Sequence, residues 1–101
     1  MRWSVYLARC ADDTLYCGIA RDVDARLAAH SAGRGARYTR GRGPVVLLAA
    51  HRYRDQGTAL RVEREIKKLS RADKLVIARD RRRWAVVARR VVRRSFKKRP
   101  I

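Results

Sequence analysis

Two tyrosines, Tyr6 and Tyr16, stand in the segment VYLARCADDTLYCGIA (5–20). A phenol donates or accepts a hydrogen bond and, once ionised, acts as a base, so two set side by side are candidates for proton-transfer chemistry. The plainer reading is that both pack beneath a helix with their hydroxyls at the edge. Further along, Arg26 and His30 stand four residues apart, an anion-binding group beside a proton-transferring one. Glu63 lies in a stretch of apolar periodicity, where a carboxylate costs free energy unless something pairs with it or binds it. The adjacent Asp12 and Asp13 could suggest metal ligands, but they sit where the chain must reverse and read as turn residues.

The elements that would position these groups follow from periodicity. Residues 3–9 and 14–20 alternate with period two and are rich in β-branched and aromatic types, with Ala11-Asp12-Asp13 as the loop of a hairpin. In that register Trp3, Val5, Leu7, Leu15, Cys17 and Ile19 share one face, and Ser4, Tyr6, Ala8, Tyr16, Gly18 and Ala20 share the other. Tyr6 then faces Gly18 and Tyr16 faces Ala8, so the two phenols are diagonal neighbours among small residues. Asp22 is an N-cap candidate for a helix over 23–31 whose buried stripe holds Val23 and Leu27. His30 lies within that stripe and Arg26 on its border. A lone histidine there is commonly a satisfied core residue and a lone arginine a solvated one; the pair beside two tyrosines is harder to dismiss.

The stretch GRGARYTRGRGP (33–44) holds four glycines and four arginines and reads as a loop. Its Arg34, Arg37, Arg40 and Arg42 could follow a phosphate backbone while Tyr38 stacks on a base, or the tract is a solvated linker. A third strand is predicted from Val45 to about Arg52. From Thr58 to Leu69, Ala59, Val62, Ile66 and Leu69 have helical spacing, with Leu60 widening the stripe. Glu63 projects inside that arc and Glu65 at its opposite edge. Ser70 with Asp73 restarts a helix over 71–79. Beyond it Trp84, Val87, Ala88 and Val91 mark a basic amphipathic helix and tail over 80–101, its apolar side docking on the domain or on a second copy.

Composition bounds the partners. At 101 residues the chain holds one modest core. Its 27 Lys+Arg against 9 Asp+Glu give a net charge of +18, which points first to nucleic acid and second to a membrane surface. No apolar run approaches the roughly 20 residues of a membrane span, and nothing at the start reads as a signal peptide, so a cytoplasmic protein is expected. Cys10 and Cys17 are too few for a four-ligand zinc site and read as small core residues.

Taken together, these positions resemble the GIY-YIG nuclease domain over roughly residues 3–78, with the small stand-alone bacterial members as the nearest type. The first motif corresponds to Val5-Tyr6-Leu7, or to Ser4-Val5-Tyr6, and the second to Tyr16-Cys17-Gly18. DVDARLAAH (22–30) is similar to the family's arginine helix, and GRGARYTR and ALRVEREIKKLSRADK to stretches typical of the small members. The chain departs from the family pattern in having no asparagine, and in having Ile19 where some relatives carry lysine.

The resemblance implies an α/β (α+β) fold, a small three-stranded antiparallel sheet flanked by helices over 1–79, carrying an extra basic helix over 80–101. It implies Tyr6, Tyr16, Arg26, His30 and Glu63 as catalytic residues. Tyr6 would take a proton from the attacking water as a phenolate or by relay through His30, its acidity raised by Arg26, His30 and the basic field. Arg26 would bind phosphate oxygens, Tyr16 orient the phosphate or a water, and Glu63 hold one Mg²⁺ or Mn²⁺ ion. Together with the basic composition, it predicts a metal-dependent DNA endonuclease of low sequence specificity, gripping the DNA phosphate backbone through the 33–43 arginines, Tyr38 and Lys67, with no membrane partner and no small-molecule cofactor. Single-stranded or branched DNA is slightly favoured by Tyr38. The competing expectation is a non-catalytic basic nucleic-acid-binding protein.

Overall fold

A computed structural model of the chain describes residues 2–32 and 44–97, with residues 92–97 by backbone alone. The 33–43 loop, and with it Arg34, Arg37, Tyr38, Arg40 and Arg42, lies outside the described residues. Three strands, β1 (Trp3–Arg9), β2 (Leu15–Ala20) and β3 (Val46–Tyr53), form one antiparallel sheet in the order β2-β1-β3. The β1–β2 register is the one that side-chain alternation predicts: Tyr6 faces Gly18 and Ala8 faces Tyr16. The hairpin reverses as Asp12 accepts hydrogen bonds from Thr14 N (3.2 Å) and Thr14 Oγ1 (2.6 Å), with Asp13 in the left-handed region at φ 68°. Arg71 then clamps the turn, donating to Asp13 O (2.6 Å) and to Asp13 Oδ2 (3.0 Å).

Central β1 is buried on both faces from Ser4 to Ala8, so the sheet separates two apolar layers. On one side Tyr6, Ala8 and Ala20 pack with Val23 and Leu27 of α1 (Val23–Ser31), whose first turn is capped by Asp22 Oδ1 accepting from Ala25 N at 3.0 Å. On the other side Val5, Leu7 and Cys17 pack with Ala59, Val62 and Ile66 of α2 (Gln56–Lys67), and with Ile77 of α3 (Arg71–Arg79). Helix α2 begins at Gln56, ahead of the predicted Thr58, because Asp55 is its N-cap and accepts from Thr58 N at 2.7 Å. Leu60 does not widen the buried stripe. It is 43% exposed, since Ala59, Val62 and Ile66 set the direction in which the helix faces the sheet. Ser70 Oγ accepts from Asp73 N at 3.1 Å and starts α3 where predicted.

Helix α4 (Arg81–Lys97) follows at once, its first turn held by Asp80 Oδ1 accepting from Arg82 N at 2.9 Å. Its stripe of Trp84, Val87, Ala88 and Val91 joins the same core as Val5 and Leu7. The apolar side of this helix is therefore buried against its own domain, each large side chain contributing about 1.5–3 kcal/mol on burial. Trp84 Nε1 donates to Tyr53 Oη at 2.7 Å, and its ring lies 4.4 Å from that of His51, which fixes α4 to β3. Cys10 and Cys17 are buried free thiols, one in each apolar layer.

Candidate active site

Hairpin register and helix pitch jointly bring four of the five expected catalytic residues to one face of the sheet. Tyr6 projects from β1 toward α1, and the i,i+4 spacing on α1 turns Arg26 and His30 along the helix side above it. Tyr6 and His30 are both fully buried, and Tyr6 Oη lies 2.9 Å from His30 Nε2. Tyr16 sits partly exposed over this pair, its ring centroid 6.1 Å from Tyr6 and 5.1 Å from His30. Arg26 is exposed at the rim. A depression of about 550 Å³ opens beside it, lined by Trp3, Ile19, Ala20 and Arg21.

Gly18 makes this convergence possible. A Cβ at that position would lie 2.8 Å from Tyr16 Cε2 and 2.8 Å from Tyr6 Oη, closer than packed carbon contacts allow. The glycine in the second tyrosine's motif is therefore the gap through which both rings pass.

The electrostatics correct one expectation. Tyr6 was expected to be made more acidic by Arg26, His30 and the basic field. Burial instead pushes its pKa above the ordinary value of 10, and Tyr16 adds to the rise, while the Arg26 guanidinium pulls down without prevailing. His30 moves the other way: burial, and then the positive charge of Arg26, lower its pKa from 6.5. Both partners of the buried hydrogen bond are thus neutral near pH 7, the phenol protonated and the imidazole uncharged.

Glu63 stands apart. It belongs to α2, which packs on the opposite face of the sheet from the tyrosines, and its side chain is 17% exposed. Its carboxylate is paired with Lys67 Nζ at 3.7 Å, so the cost of placing it in an apolar arc is offset along its own helix. Its charge also reaches Cys17, whose thiol is pushed up to about 12 by burial first and Glu63 second. Exposure does not distinguish it from Glu65, which is 20% exposed and pairs with Lys68 at 3.7 Å.

Among the described residues no cluster of three or more His, Cys, Asp or Glu side chains forms a cage for a metal ion. Glu63 offers one oxygen donor of the type Mg²⁺ or Mn²⁺ takes, ions that retain waters and complete their shell from substrate phosphate, but it does so from the layer opposite the tyrosines. Lys67, expected at the DNA, is exposed and shares its charge with Glu63. The Arg71 clamp on Asp13 gives no signal in the sequence, because its partners are 58 residues apart.

Residues 2–75 match the model of the GIY-YIG catalytic domain. The chain is 52% identical over 73 residues to a UPF0213 protein of Nitratidesulfovibrio vulgaris, covering 72% of this chain and 66% of that protein. It is 51% identical to UPF0213 protein NP_0776A of Natronomonas pharaonis, covering 69% of this chain and 82% of the relative. The solution NMR structure of UPF0213 protein BH0048 from Bacillus halodurans is 44% identical and superimposes with a TM-score of 0.47, covering 73% of this chain and 79% of that one. Among the described residues no helix is long and apolar enough to cross a membrane.

Proposed function

The chain belongs to the GIY-YIG family, and from that premise we propose that it is a divalent-metal-dependent DNA endonuclease of low sequence specificity. The observation that carries this reading is the buried 2.9 Å hydrogen bond between Tyr6 Oη and Nε2 of a neutral His30, beneath a second tyrosine and beside an arginine.

A water attacks phosphorus as its proton passes to Tyr6 Oη while the Tyr6 proton moves to His30 Nε2. The tyrosine acts as a shuttle and His30 holds the proton. This route suits a phenol whose pKa is raised, since it never requires a standing phenolate. Arg26 holds the non-bridging oxygens as charge grows on them, and Tyr16 orients the phosphate by hydrogen bonding. The P–O3′ bond breaks as the new P–O bond forms, leaving a 5′-phosphate and, after proton uptake, a 3′-hydroxyl. Glu63 is the residue that would hold a Mg²⁺ or Mn²⁺ ion, which when bound would supply positive charge to the substrate phosphate, although its carboxylate lies in the layer opposite Tyr6 and His30. Single-stranded and branched DNA are the favoured substrates, because Tyr38 and its flanking arginines suit unpaired bases.

A second reading, a non-catalytic DNA-binding protein, is favoured by one observation: Glu63 is in the other layer and engaged by Lys67. Incubating the protein with labelled single-stranded, duplex and branched DNA, in Mg²⁺ or EDTA, separates the two. Cleavage in Mg²⁺ only is expected, lowered about 100-fold or more by Tyr6→Phe and lost in Glu63→Ala. Tyr6→Phe takes this partner from the buried His30 Nε2 at a cost of about 1–3 kcal/mol, so a thermal melt beside the assay separates lost chemistry from unfolding. Binding without cleavage on every substrate supports the second reading. Loss in Glu65→Ala with survival in Glu63→Ala would move the metal ligand.

A further inference from the structure

The groove between β3 and α4 lies away from Tyr6 and Tyr16, and α4 falls beyond the residues matched to the family. Its volume is about 330 Å³, and its lining includes His51, Tyr53 and Trp84 with Arg52, Arg81 and Arg89. Among the described residues no carboxylate lines it. Among the described residues Arg52, Arg81 and Arg89 form no ion pair, whereas neighbouring Arg83 pairs with Asp80 at 3.6 Å. Arg81 and Arg89, both exposed on α4, leave positive charge beside this depression that an anion entering it would neutralise.

One wall of the groove is the Trp84 ring, held by its hydrogen bond to Tyr53 and by a tilted ring contact with His51. Arg52 borders the groove from β3, but it is paired with Ser4 in the ladder, so its side chain lies on the α1 face, beside a second depression of about 430 Å³ lined also by Arg21, Asp22 and Asp24.

We propose that the β3–α4 groove is a non-catalytic binding site for a nucleic-acid phosphate backbone, with Arg81 and Arg89 as its cationic contacts. The inference rests on nucleic acid being the partner, as above, but not on cleavage. A lipid surface is disfavoured because an interfacial helix must turn its apolar stripe to the bilayer, and the stripe of α4 is inside the core. Arginine forks suit phosphate oxygens, and backbone contacts of this kind carry affinity without reading sequence.

The test measures binding of the full chain to a labelled DNA duplex in EDTA, by fluorescence anisotropy over a salt series. Arg81→Gln/Arg89→Gln is compared with Arg82→Gln/Arg90→Gln, which removes equal charge from the same helix outside the groove. The groove pair should lose about tenfold or more in affinity, and about two units of the slope of log K against log salt. The control pair should lose less than half of that affinity change, and circular dichroism and melting should be unchanged in both. Equal losses in the two pairs overturn the groove in favour of diffuse charge. Losses seen only on phosphatidylserine vesicles overturn it in favour of a membrane. A groove-specific loss in a wild-type protein that cleaves nothing sinks only the nuclease reading.

Discussion

Tyr6 and His30 show how burial divides the labour of two titratable groups. The phenol is held protonated because its anion would be desolvated and would face Tyr16, and the imidazole is held neutral because its cation would be desolvated and would face Arg26. The arrangement has a pH signature. With His30 below its ordinary value of about 6.5, the unfolded chain takes up the proton first as pH falls, so stability is full above about 6.5 and declines on acidification. His51 is shifted in the same direction by burial and Arg81, and adds to the slope. The melting temperature should therefore fall from pH 7 toward pH 5, with His30→Gln and His51→Gln each removing part of the slope. In cleavage assays the acid limb should lie below pH 6.5, because a protonated His30 receives nothing from Tyr6. A wild-type melting temperature flat over this range, or an acid limb above it, would contradict the neutral pair.

At the scale of elements the hairpin is the decisive piece, and Gly18 is its most sensitive position. Gly18→Ala should force the Tyr6 and Tyr16 rings apart, costing about 1–3 kcal/mol as an overpacked site and lowering cleavage beyond what the stability loss explains. Thermal melts paired with cleavage rates check this; an unshifted variant with full activity would mean that the rings need not converge. This part of the site was legible because strand parity has only two answers, and placing the large apolar residues on one side leaves the tyrosines on the other. The Asp22 cap and the Arg26–His30 spacing were legible for the same reason, being local and periodic. What remained hidden depends on distant partners. Nothing near Leu60 says that Ala59, Val62 and Ile66 will turn it outward, and nothing near Tyr53 announces the Trp84 indole 31 residues away. The direction of the Tyr6 shift was missed because net charge is visible in a sequence and desolvation is not. The placement of Glu63 depends on which face of the sheet α2 covers, which the periodicity of a single helix does not decide.

For the whole molecule, one quantity acts with opposite signs on folding and on binding. The net charge of +18 is spread over a core that draws α4, with its arginines and no acidic residue, onto the same domain as the sheet. Folding concentrates that charge, so added salt should stabilise the free protein by screening its self-repulsion, the Debye length falling from about 10 Å at 0.1 M to about 3 Å at 1 M. DNA binding draws on the same charge by releasing counterions, so added salt should weaken the complex; six to ten phosphate contacts would cost about 10³–10⁵ in affinity between about 50 and 200 mM. Melting the free protein and titrating it with DNA over one NaCl series should give slopes of opposite sign. Each kcal/mol of relieved repulsion should appear as about 4–8 °C in melting temperature for a domain of this size. A melting temperature that falls with salt would mean that attractive ion pairs such as Arg71–Asp13 and Arg83–Asp80, and not self-repulsion, govern how folding responds to salt, and the predicted opposition of signs would fail.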